Sequence, residues 1–204
     1  MRLELGIITI VEDVLGAPAE RRTRFDWLVN KPQPTHFKET YPAIMRLFDE
    51  MGGDRSGLLT KTEGPLTPDA YFPEPYHCLF EFDELQHFTS FRAQTLRGYP
   101  AHIPLGFDLR LYLQFCAEKL TVALQKGGDS FRRKTADFPF VNGRGAQRAF
   151  FDTFRDWLPP LHGLRPTVRI AEFEVAEILN GTLTGAAARC HIRELLKRRV
   201  EHVT

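Results

Sequence analysis

Apolar residues recur along this chain with two periods, and the period sets the element each stretch should form. The short apolar run over residues 3–11 reads as a strand. After the breaker Lys31-Pro-Gln-Pro34, Thr35 is placed to cap a helix over 38–51, where Tyr41, Ile44, Met45, Leu47 and Phe48 form an apolar stripe. Gly52-Gly53 stops it. Short strands are expected at 58–62, 69–72 and 77–83, the last two joined as a hairpin through Pro73-Glu74-Pro75-Tyr76. Residues 88–96 read as a helix. So do 109–125, with Leu111, Phe115, Leu120 and Leu124 on its apolar side and Gly127-Gly128 at its end, and 146–158, halted by Pro159-Pro160. Residues 166–175 alternate as a strand, and Thr184 caps a last helix over 185–200. The mixture predicts an α/β (α+β) fold, a small mixed sheet flanked by helices.

Composition narrows the picture. With 204 residues, 43% of them hydrophobic and 17 of them Phe, the chain can bury a substantial core. A single domain over 1–204 is expected, because no composition shift marks a linker. The net charge of +1 draws the protein onto no polyanion as a whole, so anion binding must come from local basic patches. Three widely spaced cysteines, Cys78, Cys116 and Cys190, form neither a disulfide framework nor a CxxC metal pattern, and fit a reducing, cytoplasmic setting. The N-terminal run has no basic leader and no small-residue cleavage site. No apolar stretch approaches the roughly 20 residues needed to cross a bilayer.

The unusual chemistry lies in "PDAYFPEPYHCLFEFDELQHFTSFR", residues 68–92, where acids stand directly against Leu79, Phe80 and Phe82. Side chains alternate along a strand, so Glu81 and Asp83 share a face, roughly 6–7 Å apart. If the hairpin turns about Pro75, Asp69 lies opposite Glu81. Three carboxylates then converge on one patch of sheet and repel one another, which raises their pKa values. A divalent cation would relieve that repulsion. Mg²⁺ prefers hard oxygen ligands, keeps several waters and needs few carboxylates. His87 nearby is suited to acid–base work and Gln86 to hydrogen bonding a phosphate or a water.

Pro68-Asp69 followed eleven residues later by Glu81 resembles the PD-(D/E)xK nuclease core. The fuller pattern of Pro68-Asp69, Pro73-Glu74, Glu81-Phe82-Asp83 and Gln86-His87 looks like the very-short-patch-repair endonucleases and their bacterial relatives, the EDxHD branch. Asp83 stands where the wider superfamily carries its lysine, and Glu84 where these relatives have glycine. The resemblance covers about 38–96 and implies a restriction-endonuclease-like core over about 36–100 with a C-terminal helical elaboration over about 105–204. It implies Mg²⁺ or Mn²⁺ held by Asp69, Glu81 and Asp83, a proton handled by His87, help from Gln86, and a helix-borne glutamate, for which Glu39 is the match.

Basic residues outside the hairpin supply candidate phosphate contacts. Arg132, Arg133, Lys134, Arg144 and Arg148 surround Gly143 and Gly145, and Arg92 lies a turn beyond His87. The reading is a metal-dependent endonuclease that hydrolyses phosphodiester bonds through a metal-activated water, acting on nucleic acid, DNA being the expected polymer. It predicts a cleft with an acidic floor and basic walls. No membrane partner is expected; a protein partner or homodimer is compatible with it. The alternative is an inactive nucleic-acid-binding or interaction module on the same fold, which a lysine or arginine between Asp69 and Glu81 would favour.

Overall fold

The computed structural model describes residues 3–201. The run expected as a strand is helix α1 (Leu3–Leu15). Ile7, Ile8 and Val11 are buried on it, with Val14 and Leu15 packed alongside. That i, i+1, i+4, i+7, i+8 spacing shows its helical period only when followed through Leu15. The helix expected over 38–51 divides into α2 (Pro34–Phe37), a 3-10 turn (Lys38–Thr40) and α3 (Tyr41–Glu50). Lys38 has a positive φ of 49°, which interrupts helical backbone, and Gln33, not Thr35, occupies the position before α2. In place of the strand at 58–62 stands α4 (Arg55–Thr60). The Asp54 carboxylate accepts from the Ser56 and Gly57 amides at 3.0 and 3.2 Å, a cap that selects helix over extension.

Strands β1 (Ala70–Phe72) and β2 (Cys78–Asp83) form the expected hairpin, with Ala70 opposite Phe80 and Phe72 opposite Cys78, a register symmetric about Pro75. β3 (Arg165–Ala171) pairs parallel to β2 and sets Arg169 beside Glu81. The sheet order is β1-β2-β3. The remaining helices are α5 (Ser90–Arg97), α6 (Leu109–Arg132), α7 (Gly143–Leu161), α8 (Ala176–Leu179) and α9 (Gly185–Glu201). α6 runs past its expected end, with a break in helical backbone at Gly128. α7 contains Pro159-Pro160 instead of ending at them, because packing of its long buried face carries the last turn. Among the described residues, no helix is long and apolar enough to cross a membrane.

The fold is mixed α/β, a three-stranded mixed sheet with helices on both faces. Phe80, Phe82, Val168 and Ile170 pack toward α1 and α9 with Ile8, Val11 and Ile192. Leu79 joins the opposite core, built on α2, α3 and α7 from Phe37, Ile44, Phe48, Phe150, Phe154 and Trp157. With both faces covered, all six residues of β2 are buried, Glu81 and Asp83 included. β3 and α7 lie in the stretch over about 105–204 that was expected as an elaboration of the core over about 36–100. β3 and α7 complete the sheet and its cover, since a parallel neighbour for β2 has to arrive through a crossover.

Gly143 opens α7 where a Cβ would lie 1.9 Å from the Phe138 carbonyl oxygen. Neither backbone can yield locally, so Gly143→Ala should destabilise the protein by at least about 1–3 kcal/mol in urea unfolding. A variant as stable as wild type would show that the loop before α7 adapts freely.

Candidate active site

The hairpin, α7 and the segment before it enclose a cleft of about 830 Å³. Asp69, Glu81, Glu84, His87 and Asp152 line it, and so do Arg133, Lys134, Arg144, Arg148 and Arg155. Arg144, Arg148, Asp152 and Arg155 recur at helical spacing, so α7 presents them on one face.

Asp69 precedes β1, and its Oδ2 accepts the Phe82 backbone N–H at 2.8 Å. Burial holds its pKa above the ordinary carboxylate value, against the pull of that amide and of the Arg155 charge. Glu81, on the face of β2 turned toward α7, is pushed well above the ordinary glutamate value, first by burial and also by the Asp69 charge, although Arg155 opposes both. Arg155 Nε lies 3.2 Å from Glu81 Oε1. The pair is ionic without hydrogen-bond geometry, so Glu81 Oε1 is a buried acceptor with no hydrogen-bond partner among the described residues.

His87 ends a 3-10 turn (Leu85–His87) directly after β2. Its Nδ1 is 3.0 Å from Asp152 Oδ2 and 3.4 Å from Asp83 Oδ1, and its Nε2 is 2.5 Å from Arg148 Nη2. Burial alone would raise the Asp152 pKa, but the hydrogen bond with His87, then the Arg169 and Arg92 charges, hold it well below the ordinary value. Asp152 is therefore ionised at neutral pH.

Several expected site residues are placed elsewhere. Asp83 does not line the cleft. Its Oδ1 takes a hydrogen bond from Arg169 Nη1 at 2.7 Å, because the parallel register brings that guanidinium onto the same face of the sheet. A metal role for Asp83 is thereby withdrawn. Arg92 is 1% exposed and binds Asp156 at 2.8 Å and the Tyr99 hydroxyl at 2.7 Å, so it is a core ion pair and not a phosphate contact. Glu39 is exposed on the 3-10 turn whose Lys38 reaches the Leu161 carbonyl, at the far end of α7 from the cleft. Gln86 is outside the cleft lining, its amide donating to Glu84 at 2.5 Å. Arg132 is solvent-exposed beside Asp129 at 3.6 Å, whereas its neighbours Arg133 and Lys134 line the cleft.

Sequence reasoning passed over Asp152, Arg155 and Glu4. Arg148, Asp152 and Arg155 have the spacing of ordinary ion pairing along a helix face, and only the position of that face opposite the hairpin distinguishes Asp152 and Arg155. Glu4 lines the cleft from α1, and the strand expected there concealed the helical glutamate.

Whether these groups fit a hard cation is decided by the donors. Among the described residues, no three of His, Cys, Asp and Glu are arranged to hold a metal ion. The pair Asp69 and Glu81 remains: both carboxylates carry a burial penalty, and one Glu81 oxygen lacks a hydrogen bond. Two carboxylates suffice for Mg²⁺, which otherwise keeps water or takes phosphate oxygens. The pair fits, on condition that Arg155 turns aside.

No curated protein and no solved structure matches the chain. The sequence pattern of one family does match, over residues 46–184, and this span includes every cleft residue described above except Glu4. The chain, two-thirds of which is covered by that match, belongs to the family of unknown function DUF7255.

Proposed function

We propose that the cleft binds a nucleic-acid phosphodiester and hydrolyses it with a divalent cation, DNA being the expected polymer. One observation carries the reading: within a single cleft of a chain of net charge +1, two burial-strained carboxylates and a carboxylate-held histidine lie among Arg133, Lys134, Arg144 and Arg148. A near-neutral protein can bind a polyanion only by segregating charge in this way.

Asp69 and Glu81 would hold Mg²⁺ or Mn²⁺, which when bound offsets their repulsion and acidifies a coordinated water. Arg133, Lys134, Arg144 and Arg148 bind and orient phosphate oxygens through charge-assisted hydrogen bonds. His87 offers Nε2 for proton transfer, while Asp152 and Asp83 steady its other nitrogen. Phe131 and Phe151 in the same wall help to exclude water.

Arg155 favours a second reading. A guanidinium 3.2 Å from Glu81 supplies the positive charge that a cation would bring, and the cleft would then hold nucleic acid without cutting it.

Supercoiled, linear and single-stranded DNA incubated with the protein in Mg²⁺, Mn²⁺ or EDTA separates the two. Cation-dependent cleavage supports the hydrolase. DNA that is bound but intact in every condition, with Arg155→Met as well as wild type, supports the binding module. Absence of binding by fluorescence anisotropy at low salt would sink both.

A further inference from the structure

A guanidinium has five donors and no acceptor. The 2.5 Å approach of Arg148 Nη2 to His87 Nε2 therefore requires a lone pair on that nitrogen. The imidazole proton then sits on Nδ1, where Asp152 Oδ2 at 3.0 Å accepts it and Asp83 Oδ1 at 3.4 Å lies alongside. The contacts thus hold the ring in its Nδ1–H tautomer from both sides, and the nitrogen turned toward the cleft is covered by an arginine.

Arg148 is half-buried and lines the cleft together with Arg144, Arg133 and Lys134. A phosphodiester anion offers its guanidinium a charged, bidentate acceptor, a stronger partner than a neutral ring nitrogen. We propose that Arg148 is a substrate-released clasp on His87: a phosphodiester entering the cleft draws the guanidinium onto its own oxygens, and Nε2 is uncovered as a proton acceptor only when a phosphate is in place. Asp152 is the positioning residue of this device. It keeps the proton on Nδ1 while Nε2 is covered. Once Nε2 has taken a proton from the attacking water, Asp152 and Asp83 flank the resulting imidazolium. The ionised state of Asp152 suits that role, as does its burial at 1% exposure, which keeps solvent from competing for Nδ1–H.

The inference rests on the hydrolase reading for its purpose, but its test does not require turnover. Nitrogen-15 NMR of histidine-labelled protein reports which ring nitrogen carries the proton. Without metal, wild-type His87 should show the Nδ1–H tautomer. Saturation with a thymidine dinucleotide joined by a phosphorothioate should shift the Nε2 resonance while Nδ1 keeps its proton, and inorganic phosphate should do the same at higher concentration. In Arg148→Met, which removes a half-buried side chain and spares the core, the Nε2 resonance of the free protein should already be displaced, and the dinucleotide should add nothing. Asp152→Ala should lose the tautomer preference.

An Nε2–H tautomer in the free wild type overturns the clasp. So does an Nε2 resonance unmoved by the dinucleotide, whether the ligand binds elsewhere or not at all. The DNA cleavage assay run beside it judges the hydrolase separately. A responsive clasp without cleavage leaves an anion-sensing histidine in a binding module, and cleavage with an unresponsive histidine removes the clasp alone.

Discussion

Arg169→Met should cost about 3–5 kcal/mol of folding stability, the range for removing one partner of a buried ion pair. Arg169 has no solvent exposure. Its Nε donates to Asp156 Oδ1 at 2.6 Å, its Nη1 to Asp83 Oδ1 at 2.7 Å and its Nη2 to the Asp152 carbonyl at 3.3 Å. The side chain thus ties β2 to α7 across the sheet face. Its charge is held so firmly by Asp156, Asp83 and Asp152 that its pKa lies well above the ordinary arginine value despite burial. Methionine fills much of the volume but leaves Asp83 facing only the more distant His87 imidazole. Asp156 keeps Arg92 at 2.8 Å and the Tyr99 hydroxyl, and is the lesser loss. Urea unfolding followed by tryptophan fluorescence measures the change. Arg155→Met, at the cleft edge, should cost much less. A loss below about 1 kcal/mol for Arg169→Met would mean that the carboxylates find solvent or protons easily, and that the site is looser than its geometry.

Asp69→Asn should reduce cation-dependent cleavage to background while leaving stability at neutral pH equal to wild type or higher. Asparagine keeps an oxygen for the Phe82 amide, which alanine would leave unpaired. What it removes is a charge that burial disfavours. The folded-state pKa values of Asp69 and Glu81 are raised, so the folded protein holds these protons more tightly than the unfolded chain does. Their stabilising contribution is complete below the unfolded values near 4 and is lost as pH rises through the folded ones, at about 1.4 kcal/mol per unit of displacement. The advantage of Asp69→Asn should accordingly appear at neutral pH and shrink toward pH 4. Millimolar Mn²⁺ should raise the melting temperature of wild type and not of the variant, a readout independent of turnover. His87→Ala should keep that Mn²⁺ response and slow cleavage about 10²–10⁴-fold, the usual worth of a general acid or base. Cleavage by Asp69→Asn at the wild-type rate, or loss of the Mn²⁺ response in His87→Ala, would show the roles to be wrongly assigned.

The sequence by itself determined the hairpin, its register about Pro75, the placing of Glu81 and Asp83 on one strand face, and the mixed α/β class. All of these follow from local pattern: the alternation of side chains along any strand, a turn rich in proline, and helical apolar stripes. Where a short window was ambiguous, the local reading failed. Leu3, Leu5 and Ile7 alternate, and only the longer run to Leu15 reveals the helix; Leu58 and Leu59 suggest a strand until the Asp54 cap is seen holding two amides. The separation of Asp83 from Glu81 was decided by tertiary structure alone. Both sit on the same face of β2, yet the residue brought beside them by the parallel pairing of β3, 86 positions beyond Asp83, is the buried Arg169, which claims Asp83 and leaves Glu81 at the cleft. Likewise, Arg148, Asp152 and Arg155 are common helix-surface residues until α7 lies across the hairpin and turns that face toward His87 and Glu81. Which carboxylate is neutralised, and by what, depends on charges distant in sequence meeting in a medium that screens them poorly, and no local pattern encodes that meeting.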